Sequence, residues 1–172
     1  MTKPVNLSYH DFPHPWPTMQ ERDWICDVSA IVAERFEDCT IVHIGVDLGI
    51  SLYASYGGAP DANIVGVDLD VSNFRRSQFK PALIAADSGS MEYDGPVHFL
   101  FIDGDHRIDG VADDMEAWLG MVPVGGIVGF HDYWNQRLMW CRGVSQAVDA
   151  WDWDGWEEMP AADSIKAMRR VR

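Results

Sequence analysis

Residues 41–51 read Ile-Val-His-Ile-Gly-Val-Asp-Leu-Gly-Ile-Ser: an apolar, β-branched run that stops at a glycine and turns polar. Two later stretches repeat the pattern. One is Phe99-Leu100-Phe101-Ile102-Asp103-Gly104-Asp105-His106, the other Gly125-Gly126-Ile127-Val128-Gly129-Phe130-His131-Asp132-Tyr133. Apolar runs without alternation are the mark of strands buried on both faces. Open α/β sheets bind their ligands beyond the carboxyl ends of such strands, where these three runs deliver Gly, Asp and His.

Outward from there, strands and helices alternate. Thr18-Met19-Gln20-Glu21 fits a capping box, so a helix is expected to about Phe36. Its buried stripe should be Trp24, Ile25, Val28, Ile31, Val32 and Phe36. Strands are expected at Thr40–Ile44, Asn63–Val67, Ala82–Ala85, Val97–Ile102 and Gly126–Phe130. Short helices are expected at Ser51–Tyr56 and over 72–79. Ile108, Val111, Met115 and Trp118 recur at helical spacing up to Gly120, and Val144, Ala147, Val148 and Trp151 mark another helix. Strands at roughly 155–160 and 164–171 should close the chain as an antiparallel hairpin. The first seventeen residues, rich in Pro and aromatics, should run as an extended arm.

A chain of 172 residues, 47% of them hydrophobic, suits one domain with its own core. No apolar run approaches the ~20 residues of a membrane span. The N-terminus lacks the layout of a signal peptide, so the cytoplasm is the default location. Cys26, Cys39 and Cys141 have no CxxC spacing and read as free thiols. A net charge of −14 repels phosphate backbones and anionic membranes, which argues against both as partners. The few clustered bases, Arg75-Arg76 and Arg169, Arg170 and Arg172, are too sparse to offset it.

Gly45, Asp47, Gly49 and Ser51 lie between a strand and a helix, where free amides meet a ligand. Their spacing is G-x-x-x-G-x-S rather than G-x-G-x-x-G, which argues against nicotinamide or flavin. Asp68 ends the next strand, where an acid can accept from both hydroxyls of a ribose; Asp70 is the spare candidate. Asp103, Asp105 and His106 crowd one strand end and His131-Asp132 another. Carboxylates that close repel. A divalent cation is one way to hold them, and an acid cluster kept neutral or hydrogen-bonded to loop amides is the other; a histidine ligand moves the choice of metal from strict Mg²⁺ toward Mn²⁺, Fe²⁺ or Zn²⁺. His10 and His14 have i,i+4 spacing, but neighbouring prolines forbid the helix that would pair them. His98, inside a strand, reads as structural. Trp24, Trp118 and Trp151 read as core, while Trp16, Trp134 and Trp140 could wall a pocket.

The ordered set Ile102-Asp103-Gly104-Asp105-His106, Asp114, Trp118, Gly125-Gly126 and His131-Asp132-Tyr133, with Gly143-Val144 opening a helix, resembles a known family. It is that of class I S-adenosylmethionine-dependent methyltransferases, in particular the small methyltransferase family 24 group. The resemblance runs from about Ile41 to Val148. It implies an α/β, Rossmann-like doubly wound sheet of seven strands, order 3-2-1-4-5-7-6 with strand 7 antiparallel, in a single domain over 18–172. It implies S-adenosylmethionine at Gly45 and Gly49, with its ribose on Asp68 and its adenine near Asp87 and Ser88. Relatives acting on sugars and other small hydroxylated molecules hold a divalent cation, Mg²⁺ or Mn²⁺. The matching residues here are Asp103, His131 and Asp132, which leaves His106 to take the acceptor's proton.

The implied activity is therefore O-methyl transfer to a small molecule, with Asp103, His106 and His131 as the catalytic set. This chain departs from the relatives at two places. His43 stands where they carry an acid that helps hold the methionine amino group, with Asp47 as a potential substitute. His131 stands where they often carry a second acid. The first departure also suits an enzyme that cleaves S-adenosylmethionine, and a non-catalytic S-adenosylmethionine-binding partner protein is a further reading. With no inserted lid, the N-terminal arm or the second subunit of a homodimer would close the pocket.

Overall fold

A computed structural model describes residues 16–75, 79–135 and 141–172 of the chain. Thr18 starts the first helix, α1 (Met19–Arg35), with a reciprocal cap. Its hydroxyl accepts from the Glu21 amide at 3.2 Å, and the Glu21 carboxylate accepts from the Thr18 amide at 2.7 Å. Both groups would otherwise be open donors at a helix end. Then come β1 (Thr40–Ile44), α2 (Ile50–Gly58), β2 (Asn63–Asp68), β3 (Ala82–Ala85), β4 (Phe99–Ile102), α3 (Ile108–Trp118) and β5 (Ile127–Phe130). The chain closes with α4 (Arg142–Ala150) and the hairpin β6 (Trp156–Met159) and β7 (Lys166–Arg170).

The strands form one sheet in the order β3-β2-β1-β4-β5-β7-β6. Strands β1 to β5 pair in parallel, and β7 runs antiparallel to both β5 and β6. This is the expected doubly wound sheet with its reversed strand. Strand order turns back between β1 and β4, the switch point at which such sheets leave a crevice.

Side-chain alternation along β1 sorts the core into two layers. Val42 and Ile44 join Leu100, Ile102, Val128 and Phe130 beneath α3 and α4, around the fully buried Trp118. Ile41 joins Phe99, Phe101 and Ile127 beneath α1 and α2, with Ile25, Val28 and Val32 from the first helix. Register then aligns the strand ends. Ile44 pairs with both Val67 and Ile102, and Ile102 pairs with Phe130. The next residue of each strand is therefore level with its neighbours, so Gly45, Asp68, Asp103 and His131 leave the sheet along one edge.

Three local expectations fail. Residues 72–75 and 79 are turns and loop rather than helix, and 76–78 lie outside the described residues. Ile31, assigned to the buried stripe of α1, is 52% exposed, because the contact face turns away from it toward α2. Trp151 lies one residue past α4 rather than within it, half-buried against the core as Trp24 is. The thiols are free as expected, with Cys39 and Cys141 buried and Cys26 half-buried. His98 is structural: its Nδ1 accepts from the Thr40 amide at 2.9 Å. Of the expected arm only Trp16 and Pro17 are described; His10, His14 and Trp140 lie outside. Among the described residues, no helix is long and apolar enough to cross a membrane.

Candidate active site

A cavity of about 830 Å³ opens at the carboxyl edge of the sheet, over the switch point. Its first half is made by the tips of β1, β2 and β3. Gly45 turns the chain at φ 87°, and a Cβ there would run into the Asp103 carbonyl oxygen, so only glycine fits. The Val46 and Asp47 amides donate to Asp68 Oδ2 at 2.7 and 3.3 Å, and the Asp70 amide donates to Oδ1 at 3.1 Å. Asp68 therefore pins the glycine loop. Its two oxygens offer about four lone-pair sites, so acceptor capacity remains for a ligand. Asp47, Ser51, Asp87 and Ser88 also line the cavity. Gly49 does not: it caps α2 at φ 83° with the Phe74 ring packed against it. Asp70 is likewise absent from the lining.

Ser88 is gripped by two residues one helical turn apart on α3. Its hydroxyl donates to Asp114 Oδ1 at 2.5 Å, and its carbonyl accepts from Trp118 Nε1 at 2.9 Å. Asp114 lines the cavity, and burial pushes its carboxyl up to about 6.

The second half is made by the tips of β4 and β5. Asp103, His106, His131 and Asp132 each offer one donor atom, all within 4.8 Å of one another. Asp132 sits in the left-handed region at φ 59°, a conformation aspartate tolerates better than most residues. Asn135 Nδ2 donates to Asp132 Oδ1 at 3.0 Å, and the Asp132 amide donates to Ser164 Oγ at 3.2 Å, which fixes that turn. His106 Nε2 lies 3.2 Å from Asp132 Oδ2 and 3.8 Å from Asp103 Oδ1, within ion-pairing reach of both once protonated but without an aligned hydrogen bond. The Asp132 carboxylate raises His106 above the ordinary histidine value, against the opposing effect of its burial. Gly143 on α4 lets the His106 carbonyl approach where any side chain would clash.

His131 is 3% exposed and has a carboxylate at each ring nitrogen. Nδ1 lies 2.9 Å from Asp103 Oδ1 and Nε2 lies 3.2 Å from Glu21 Oε2. Burial opposes its charge, but the two carboxylates outweigh burial and hold its pKa far above the usual value. The donor set suits a divalent cation: two carboxylates, a His131 nitrogen backed by an acid, and the buried His106 Nε2 lie within 4.8 Å of one another.

Most of the described residues singled out from the sequence therefore converge, with Gly49, Asp70 and Trp134 outside the cavity. Trp16 walls it and stands edge-on to His131 at 6.5 Å. Trp134 is 55% exposed and leans on Tyr133 instead. Glu21 and Asp114 were not read as site residues. Glu21 carried only a capping signal, and nothing local records that it meets a histidine 110 residues away.

His43 proves not to face the cavity at all. It is fully buried beneath α1 and α2, where Nε2 meets Ser55 Oγ at 2.8 Å and the ring packs on Phe101 at 5.4 Å. Burial alone holds its pKa down at about 3, so it is neutral.

The sequence matches the family model described as a methyltransferase domain over residues 42–133, more than half of the chain. No curated protein matches it in sequence. Solved structures share its fold at low identity. The SAH-bound methyltransferase PaMTH1 of Podospora anserina is 18% identical, with a TM-score of 0.67 over 87% of this chain and 77% of that one. The O-methyltransferase NovP is 16% identical, with a TM-score of 0.69 over 90% of this chain and 81% of that one. MycE of the mycinamycin biosynthetic pathway, in complex with Mg, SAH and mycinamycin VI, is 19% identical with a TM-score of 0.63. The match covers 83% of this chain and 47% of MycE.

Proposed function

The chain belongs to the methyltransferase-domain family, and from that premise we propose that it transfers a methyl group from S-adenosylmethionine to a hydroxyl of a small molecule. One observation carries the reading. A single cavity joins the glycine loop, Asp68 and Asp87 to the Asp103–His106–His131–Asp132 cluster. The first group suits a nucleoside with a charged tail, the second a hydroxyl that must lose its proton. NovP, an O-methyltransferase by name, and the Mg-containing MycE complex lend support. The net charge of −14 favours a small acceptor over a nucleic acid.

In this reading S-adenosylmethionine supplies the electrophilic methyl, and a divalent cation, Mg²⁺ or Mn²⁺, supplies a Lewis acid that lowers a hydroxyl's pKa. Gly45, Asp47 and Ser51 would hold the cofactor, with Asp68 for its ribose and Asp87 and Ser88 for its adenine. Asp103, Asp132 and His131 would hold the cation. His106 Nε2 takes the acceptor's proton, and the Asp132 carboxylate 3.2 Å away stabilises the imidazolium so formed. Trp16 and Pro17 line the cavity beside this cluster, where they would flank the acceptor. The protein contributes chiefly position and preset charge.

His43 does not line the cavity, which favours methyl transfer over a cleavage reaction. The test is radiolabelled methyl transfer from S-adenosylmethionine to a panel of small hydroxylated acceptors, with and without Mn²⁺. Label in an acceptor together with S-adenosylhomocysteine supports the proposal. Methylthioadenosine formed without any acceptor overturns it in favour of cleavage. Tight cofactor binding with no product across the panel favours a non-catalytic partner protein.

A further inference from the structure

Glu21 is the most deeply buried carboxylate among the described residues, at 0% exposure, although the third position of an exposed helix turn does not demand burial. Every contact it makes holds it in place. Oε1 accepts from the Ser164 amide at 3.0 Å and from the Ser164 hydroxyl at 2.5 Å. Oε2 accepts from the Thr18 amide at 2.7 Å and meets His131 Nε2 at 3.2 Å. Thr18 Oγ1 also donates to Asp163 Oδ2 at 2.5 Å, which ties the start of α1 to the turn before β7. A carboxylate buried this completely needs every oxygen satisfied, and the His131 ring nitrogen at 3.2 Å completes the set.

The two ring nitrogens of a histidine point in different directions, so fixing one aims the other. With Nε2–H on Glu21, Nδ1 faces Asp103 at 2.9 Å and Asp132 at 3.6 Å. A carboxylate behind a ligating imidazole sets its tautomer and raises its basicity. Resting on the cation reading above, we propose that Glu21 is a positioning residue that acts through His131. It locks the ring with Nδ1 toward the Asp103–Asp132 cluster and restores the negative charge that a histidine ligand lacks. The first turn of α1 is thus a working part of the centre, although it lies outside residues 42–133, which carry the family match.

The test is calorimetric titration of the full chain with Mn²⁺ alone, as a double-mutant cycle. Four proteins are compared: wild type, Glu21→Gln, His131→Ala and the double variant. S-adenosylhomocysteine affinity and melting temperature report the fold. Glutamine keeps the size of Glu21 and its capping role. Glu21→Gln is expected to lose about 10–100-fold in Mn²⁺ affinity while S-adenosylhomocysteine affinity stays near wild type. In the His131→Ala background the same change should add nothing, since its route is gone. Equal Mn²⁺ affinity of Glu21→Gln and wild type overturns the proposal and leaves the cation reading standing. So does an undiminished loss in the His131→Ala background. A wild type that does not bind Mn²⁺ overturns both. Should Glu21→Gln fail to fold, Glu21→Asp, which keeps the charge but withdraws it from His131, takes its place with the same expected loss and the same overturning results.

Discussion

The two halves of the cavity are built by different means. The half at β1–β3 is made largely of backbone: a glycine turn, amides pinned by Asp68, and the Ser88 carbonyl held by Trp118. The half at β4–β5 is made of side chains whose charges balance one another, from Glu21 through His131 to Asp103 and from Asp132 to His106. A backbone cradle tolerates side-chain change because the polypeptide supplies the ligands. A charge network does not, since removing one member leaves another buried and unpaired.

The largest expected effect therefore lies in the second half. Asp103→Asn removes the charge facing His131 and His106 at nearly constant volume. Turnover should fall by about 10³-fold, with S-adenosylhomocysteine affinity little changed. Turnover and Mn²⁺ dependence that survive Asp103→Asn would sink the assignment of that half as the reacting centre.

The halves meet at Gly45, whose turn packs on the Asp103 carbonyl. Gly45→Ala imposes a left-handed alanine and a steric clash together, costing about 2–3 kcal/mol of stability by chemical denaturation. Cofactor affinity and turnover should fall together, because the loop and the end of β4 must part. Asp68→Asn comes next. It keeps the shape but weakens the grip on the Val46 and Asp47 amides, and cofactor affinity should drop about tenfold by calorimetry. Mn²⁺ affinity should not move. A matching loss of Mn²⁺ affinity would show that the halves are coupled rather than separately built.

The same contrast governs what could be read from the sequence. The half at β1–β3 was legible because its residues are local: a strand, a glycine turn and the next strand's terminal acid lie within one stretch of chain. Asp103, His106, His131 and Asp132 were legible as ends of two apolar runs, and parallel register brings those ends level. Glu21 and Ser164 were not, since they meet across 143 residues and neither carries a local mark of that meeting. Ile31 misled because helical periodicity gives a stripe without saying how wide the contact face is. Position 43 was singled out through the resemblance, as the place where relatives carry an acid for the methionine amino group. Strand alternation instead puts it on the face of Ile41, opposite Val42 and Ile44.

That displacement of His43 sets the smallest and most specific expectation. A histidine held neutral in the fold at about 3 but free to ionise when unfolded, near its ordinary 6.5, favours the unfolded chain as pH falls. The sign follows from the proton count. Below 6.5 the unfolded state binds a proton that the native state refuses, so stability is full above that pH and drains between it and the folded value. Between pH 7 and pH 5.5 the loss from this one group is about 1 kcal/mol. Glutamine at this position keeps a hydrogen-bonding group for Ser55 Oγ without titrating. Urea denaturation of wild type and His43→Gln at the two pH values should show the wild type losing about 1 kcal/mol more, other titrations cancelling in the difference. Cofactor affinity, by contrast, should be the same in both proteins at both pH values. Parallel stability curves would mean that the ring takes up a proton in the folded state. The orphaned Nδ1 would then have found an acceptor, and position 43 would belong to the polar machinery of the cavity rather than to the core beneath it.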